Sequence, residues 1–130
     1  MKKPQRKNER RDFPRIKVNF IITYRINGSD GADDSQKEAL PGLMEDLSEA
    51  GLAVLTKHKT SPLTPVTVEF MIYDYTSRDK DARVKVLRVD GEVRYVVPTG
   101  SSGYRMGVCF HQLDAKDRKL IRAFVTRMSK

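Results

Sequence analysis

The sequence predicts a mainly β domain, a small antiparallel barrel of six or seven strands with one α-helix packed against it. Two observations lead to this fold class. Apolar and polar residues alternate over several short runs that are separated by turn-forming residues, which is typical of half-buried strands. The apolar spacing then changes to a helical period at the end of the chain. A chain of 130 residues is long enough for one hydrophobic core, so one domain is expected.

The first strand is predicted at residues 16–26, where Ile, Val, Phe and Tyr alternate with polar side chains. Asn27-Gly28 is typical of a turn and ends this strand. Residues 29–39 are polar and acidic, so a solvated loop is expected there. Its acidic residues do not have the spacing of a calcium loop, and no metal site is predicted.

Two short strands are predicted next, at residues 40–47 and 52–56. Gly51 lies between them and supplies the backbone freedom that the turn requires. After a loop that contains two prolines, apolar and polar residues alternate again and predict a strand at residues 66–73.

The following two strands are predicted to form a β-hairpin. Residues 84–89 and 92–97 are rich in β-branched side chains, and Asp90-Gly91 between them favours a tight two-residue turn. A last strand is predicted at residues 104–110. It contains Cys109, which as the single cysteine has no internal disulfide partner and is interpreted as a buried, inert thiol.

The end of the chain is predicted to form an amphipathic helix at about residues 115–129. Asp114 is a suitable N-cap residue, with Asp117 three positions later. Apolar residues recur at helical spacing on one face, which comprises Leu120, Ile121, Phe124, Val125 and Met128. This face is expected to pack against the barrel.

The net charge of +8 is concentrated at the two ends of the chain. Residues 1–15 carry seven basic and two acidic residues, and residues 116–130 carry six basic and one acidic residue, so each segment has a net charge of +5. This distribution favours a flexible basic arm at residues 1–9 and a domain at residues 10–130 that ends in a basic helix. A general polyanion binder would spread its positive charge over one face, so nucleic acid is not the expected partner.

Several function classes have no support in the sequence. No apolar run approaches the ~20 residues that a membrane span requires, and polar residues stand where a signal peptide would be apolar. A cytoplasmic protein is therefore expected. Glycine-rich nucleotide loops, nucleophile elbows and cysteines at zinc spacing are missing, so we predict no catalytic residue, cofactor or metal, and no enzymatic activity.

Two polar motifs have the composition of an anion-binding site. Arg11 and Arg15 lie directly before the first strand, and their planar guanidinium groups can bind phosphate oxygens or guanine. The second motif comprises Asp46, Ser48 and Gly51, in the next strand pair. Asp46 can accept hydrogen bonds from guanine N1 and N2, Ser48 adds a short polar group, and Gly51 permits close backbone approach.

These motifs resemble those of the PilZ domain, the bacterial receptor module for cyclic diguanylate (cyclic di-GMP). Arg11-Asp12-Phe13-Pro14-Arg15 matches the family's Arg-x-x-x-Arg, and Asp46-Leu47-Ser48-Glu49-Ala50-Gly51 matches its Asp/Asn-x-Ser-x-x-Gly. Met106-Gly107-Val108-Cys109-Phe110 is similar to the Gly-Val-x-Phe strand that precedes the family's C-terminal helix. The resemblance covers residues 9–128 and implies a stand-alone PilZ domain with a split-barrel fold.

The resemblance also implies a function and a set of contacts. The residues implied to bind cyclic di-GMP are Arg10, Arg11, Arg15, Asp46, Ser48 and Gly51. The arginines would grip phosphates and guanine faces, and the second motif would contact the guanine edge. Binding would order the arm and change the surface that is offered to a downstream protein partner, in a process such as motility or biofilm formation.

Two alternatives remain open at this stage. Small barrels with basic arms also bind single-stranded nucleic acid, which would require aromatic stacking platforms and would give a steep salt dependence. A barrel without ligand could instead act only through protein contacts, with the basic helix surface as its interface.

Overall fold

The computed structural model of the chain describes residues 14–27, 38–76 and 83–129. These residues form six β-strands and one α-helix. The strands are β1 (Arg15–Ile26), β2 (Leu40–Ser48), β3 (Gly51–Thr56), β4 (Pro65–Tyr73), β5 (Val84–Pro98) and β6 (Tyr104–Phe110), and helix α1 (Ala115–Met128) follows them. The predicted flexible arm at residues 1–9, Arg10, Arg11 and most of the predicted acidic loop lie outside the described residues.

The strands form a closed antiparallel barrel in the order β1-β2-β3-β6-β5-β4. β1 closes the barrel because it pairs with β2 on one side and, from Thr23 to Ile26, with β4 on the other. The predicted fold class, an antiparallel barrel followed by a helix, is confirmed. The bounds of β1, β2, β3, β4 and β6 agree with the prediction to within one residue.

The hydrophobic core fills the barrel because alternate residues of each strand point inward. The buried residues of β4 show this alternation, and they are Val66, Val68, Phe70 and Ile72. Tyr24 of β1 is also buried, and its hydroxyl lies 2.8 Å from Oγ1 of Thr56 on β3. Burial raises the pKa of Tyr24, so the phenol is held in its neutral form inside the barrel.

The predicted hairpin at Asp90-Gly91 is wrong, because β5 is one continuous strand from Val84 to Pro98. Gly91 pairs with Val66 of β4 and also with Phe110 of β6, so it lies where the strand passes from one neighbour to the other. A Cβ atom at this position would lie 2.5 Å from the carbonyl oxygen of Cys109. Gly91 therefore allows β5 and β6 to approach closely. Strand pairing in the barrel overrides the local turn preference of Asp-Gly.

Helix α1 begins as predicted, with the Asp114 carboxylate accepting a 2.8 Å hydrogen bond from the backbone N–H of Asp117. Four of the five residues of the predicted apolar face are buried against the barrel, whereas Met128 is half exposed. The Phe124 ring lies 6.0 Å from the Phe20 ring of β1, between centroids. Among the described residues, no helix is both long enough and apolar enough to cross a membrane.

Cys109 is half-buried, whereas the sequence predicts a buried thiol. Its neighbours Val108 and Phe110 face the core, so the alternation of β6 turns Cys109 toward the outer surface of the barrel. The thiol lies 3.6 Å from the carbonyl oxygen of Phe110 and donates a weak hydrogen bond to it.

Candidate functional site

The first feature of the site is an ion pair between the two sequence motifs. Arg15 lies opposite Ser48 in the pairing of β1 with β2, and Lys17 lies opposite Asp46. From this position Arg15 donates from Nη1 to Oδ1 of Asp46 at 3.2 Å, across 31 residues of sequence. The Arg15 side chain is 37% exposed and that of Asp46 is 11% exposed. The pair therefore lies at the protein surface, and the carboxylate is its more buried member.

A second arginine, which the sequence did not indicate, binds the same carboxylate. Arg105 of β6 donates from Nη2 to Oδ2 of Asp46 at 3.0 Å, and its Nη1 donates to the carboxylate of Glu45. β3 lies between β2 and β6 and brings the two residues close together. Asp46 of β2 pairs with Ala53 of β3, and Ala53 pairs with Gly107 of β6. Both oxygens of Asp46 are therefore held by arginines from different strands.

An irregularity in β2 explains how one guanidinium reaches two adjacent carboxylates. Met44 pairs with Val54, and the next pair is Asp46 with Ala53. β2 thus advances by two residues where β3 advances by one, and Glu45 is the extra residue. Such a bulge locally re-aims side chains that would otherwise alternate between the two faces of the sheet. Here it brings the carboxylates of Glu45 and Asp46 to the same outer face as Arg105.

Tyr95 of β5 completes the surroundings of Arg105. It pairs with Gly107, and a Cβ atom on that glycine would lie 2.1 Å from the Tyr95 ring, so the ring lies directly against β6. Burial alone would lower the pKa of Arg105. Tyr95, Asp46 and Glu45 together raise this pKa by more than burial lowers it, so the net change is upward. The Arg105 guanidinium is therefore a permanent cation in this site.

Ser48 ends β2 and Gly51 begins β3, so Gly51 is a strand residue next to the turn and not the turn residue that the sequence predicts. Ser48 is buried, and its hydroxyl oxygen accepts a 3.0 Å hydrogen bond from the backbone N–H of Ala50. A Cβ atom at Gly51 would lie 2.0 Å from the carbonyl oxygen of Val108, so only glycine fits between β3 and β6 here. Both residues shape the backbone that follows Asp46.

Of the predicted site residues, Arg15 and Asp46 are in direct contact, whereas Arg10 and Arg11 lie outside the described residues.

Glu49, inside the same motif, connects the turn to helix α1. Its side chain is only 5% exposed, and its two oxygens accept hydrogen bonds from Nε and Nη2 of Arg122 at 2.9 and 3.1 Å. Arg118, one helical turn earlier, lies 4.0 Å from the same carboxylate. Sequence reasoning missed this contact because it joins residues 73 positions apart. The feature that marks Glu49 is its burial between Ser48 and Gly51, and the sequence pattern does not show that burial.

The described part of the chain offers other clefts, and the one between β1 and β4 differs in chemistry from the cluster around Asp46. A cleft of about 370 Å³ between β1 and β4 is lined by Asn19, Phe20, Ile21, Met71, Ile72, Tyr73 and Val84. It has no cationic side chain to neutralise a phosphate. Within the described residues, no group of three or more His, Cys, Asp or Glu side chains is placed to hold a metal ion. The arginine and carboxylate cluster around Asp46 is therefore a better candidate for an anionic ligand than this cleft.

The fold and this cluster define a class of small β-barrel domain with an Arg/Asp surface site and a C-terminal helix. The chain matches the PilZ domain over residues 9–127, and it belongs to the PilZ domain family. No curated protein sequence shows significant similarity to it.

Solved structures of PilZ-containing proteins have a similar fold. The Bacillus subtilis inhibitor of motility MotI/DgrA aligns with a TM-score of 0.66 and 12% identity, over 92% of this chain and 51% of that one. Escherichia coli YcgR in complex with cyclic di-GMP aligns with a TM-score of 0.62 and 13% identity, over 92% of this chain and 46% of that one. This chain thus spans about half the length of these two proteins. The PilZ domain of YcgR, determined with cyclic di-GMP, aligns with a TM-score of 0.57 and 16% identity, over 92% of this chain and 94% of that one.

Proposed function

We propose that this PilZ domain is a receptor for cyclic di-GMP and that its ligand lies on the outer face of the barrel, around Asp46. The observation that carries the proposal is the ion pair between Arg15 and Asp46, which joins the two sequence motifs in one surface site. The receptor domain would comprise residues 10–130, with residues 1–9 as a basic arm. Because a second messenger acts inside the cell, the proposal places the protein in the cytoplasm.

The proposed contacts follow from the chemistry of each side chain. Arg10, Arg11 and Arg15 would bind the phosphates and the guanine faces, since guanidinium groups make bidentate hydrogen bonds and stack on bases. Asp46 would accept hydrogen bonds from N1 and N2 of guanine. Ser48 and Gly51 would set the backbone beside it. These six residues are our candidate ligand-binding set.

Arg15 contacts Oδ1 of Asp46, so a ligand that bound both residues would have to exchange partners with them. The ligand phosphates would attract Arg15, and the guanine edge would take its place at Oδ1 of Asp46. Such an exchange would leave no charge unpaired, because the phosphates replace the carboxylate as the partner of Arg15 and Asp46 keeps its contact with Arg105. Support also comes from the PilZ domain of Escherichia coli YcgR, whose structure contains cyclic di-GMP and whose length this chain nearly matches.

The output would be a change in the surface that meets a downstream protein. Ordering of the arginine segment over the ligand would create new surface next to the β2–β3 turn. The Glu49–Arg122 contact joins this turn to helix α1, so the helix is the element best placed to sense the change. We therefore propose a protein partner that contacts the arm, the helix or both.

A competition assay by fluorescence polarisation tests the ligand class. A fluorescent cyclic di-GMP probe is bound to the full chain and then displaced by unlabelled cyclic di-GMP, cyclic di-AMP or a short single-stranded DNA. The proposal expects displacement by cyclic di-GMP at far lower concentration than by the other two. Equal displacement by DNA, with a steep loss of affinity as salt rises, would instead indicate a nucleic-acid-binding barrel.

A further inference from the structure

The Asp46 carboxylate is held from two sides by arginines that differ in how firmly the fold fixes them. Arg15 is the first residue of β1 and makes its contact at 3.2 Å to Oδ1. Arg105 is the second residue of β6, which lies between β3 and β5 in the barrel, and makes its contact at 3.0 Å to Oδ2. The two arginines thus approach opposite oxygens of one carboxylate.

Within the part of the chain that the structure describes, Arg105 contacts more side chains than Arg15 does. Its guanidinium also donates to Glu45, the bulge residue of β2, and lies beside Tyr95, whose ring packs against β6. Its planar group thereby bridges two adjacent carboxylates, a geometry that a lysine ammonium cannot reproduce. Arg105 therefore contacts three side chains on two strands, and these contacts would hold it in place if Arg15 turned to a ligand.

We propose that Arg105 is a positioning residue for guanine recognition, and this inference rests on the proposed function above. It holds Oδ2 of Asp46 and so fixes the plane of the carboxylate, while Oδ1 receives the ligand. A carboxylate has about four lone-pair sites, so Oδ2 can keep its bond to Arg105 and still accept one hydrogen bond from the base. Arg105 also supplies the counter-charge that Asp46 needs once Arg15 has left it.

The plane of the carboxylate matters because guanine presents two parallel donors, N1–H and N2–H, on its Watson–Crick edge. Asp46 can accept both only when its two oxygens lie in the plane of the base. A carboxylate free to rotate would still attract the ligand electrostatically but would distinguish less well between bases. Arg105 is therefore expected to act on base selectivity as well as on affinity.

Isothermal titration calorimetry of the full chain with cyclic di-GMP and with cyclic di-IMP, which lacks both 2-amino groups, separates these effects. We compare the wild type with Arg105→Gln and Arg105→Lys. Arg88→Gln is the matched control, because Arg88 is an exposed arginine of β5, three strands from β2 in the barrel order, and is paired with Glu69 of β4. We expect Arg105→Gln to weaken cyclic di-GMP binding roughly 10-fold or more and cyclic di-IMP binding less, so that the selectivity ratio falls. Arg105→Lys should recover part of the ratio, and Arg88→Gln should change neither ligand.

A double-mutant cycle shows whether Arg105 acts through Asp46. In an Asp46→Asn background, Arg105→Gln should cost little further affinity, because the group that it positions is already altered. An equal loss in both backgrounds would mean a direct contact with the ligand or a general structural role, and would overturn the inference. Thermal unfolding of each variant identifies a loss that comes from the fold.

The outcomes also separate this inference from the proposed function. A wild-type chain that binds cyclic di-GMP, together with an Arg105→Gln variant of unchanged affinity and selectivity, overturns the positioning role alone. A wild-type chain that shows no saturable binding overturns the proposed function, and the positioning role falls with it.

Discussion

Glu49 and Arg122 form a bidentate ion pair, with Nε at 2.9 Å and Nη2 at 3.1 Å from the two carboxylate oxygens. The acid belongs to the turn that follows Asp46, and the base belongs to helix α1. The carboxylate raises the pKa of Arg122 through this hydrogen bond and its charge. The pair is thus a fixed link between the candidate site and the C-terminal helix.

We predict that Arg122→Ala lowers the melting temperature more than Arg118→Ala does. The Arg122 contact is bidentate, and its loss leaves Glu49 nearly buried with only the more distant Arg118 at 4.0 Å. Both substitutions remove one positive charge from the same helix, so Arg118→Ala is a matched control. Thermal unfolding followed by circular dichroism measures both. Equal melting temperatures for the two variants would show that Glu49 does not depend on Arg122.

Gly51→Ala is expected to destabilise the fold by about 1–3 kcal/mol or more, because its Cβ would lie 2.0 Å from the carbonyl oxygen of Val108. The obstructing atom belongs to the backbone, so no side-chain movement relieves the clash. Gly100→Ala is the control, since a Cβ there meets no atom within 4 Å. Urea unfolding of the two variants gives the comparison. A stable Gly51→Ala variant that has lost only ligand binding would contradict this structural role.

The raised pKa of Tyr24 leads us to expect a loss of folding stability at alkaline pH. Burial raises its pKa in the folded state above the ordinary value of 10.0, so its contribution is complete below that value and is lost as the pH rises through 10 toward the folded pKa. Tyr24→Phe should lower the free energy of unfolding at pH 7 by about 1 kcal/mol, through the lost contact with Thr56. The variant should then lose less stability than the wild type above pH 10. Urea unfolding at pH 7 and pH 10.5 tests this, and parallel losses in both proteins would refute it.

Gly107→Ala should disturb Tyr95, because the added Cβ would lie 2.1 Å from the Tyr95 ring. The obstructing atoms belong to a half-exposed side chain, so we expect the ring to move away rather than the barrel to unfold. The near-ultraviolet circular dichroism spectrum should change while the far-ultraviolet spectrum does not. Loss of both signals would show that the ring cannot move.

The strands that alternate apolar and polar residues were predicted correctly, because one face of each is buried in the barrel. The strand at residues 16–26 is an example, and β1 spans Arg15–Ile26. The Asp90-Gly91 hairpin was wrong because a local turn signal carries no information about strands on both sides. Barrel closure pairs Gly91 with Val66 and with Phe110, and these non-local contacts decide its conformation.

The site was predictable only in part, for a related reason. Arg15 and Asp46 belong to recognisable motifs, and the structure brings them into contact. Arg105 and Glu49 contact their partners across 59 and 73 residues of sequence. An arginine in a strand and an acid in a turn are ordinary surface residues until the fold is known. Their roles follow from register, from the bulge at Glu45 and from helix docking, which no local pattern encodes.

The central claim is that Arg15 and Asp46 belong to a cyclic di-GMP site, and calorimetric titration of the full chain tests it most directly. We expect saturable heat at low micromolar ligand for the wild type. Arg15→Ala should lose roughly 1–3 kcal/mol of binding free energy, the value of one bidentate guanidinium contact. Arg88→Ala, which removes the same charge from β5, three strands from β2 in the barrel order, should bind as the wild type does. No saturable heat with the wild type, or equal affinities for the wild type and Arg15→Ala, would contradict the account.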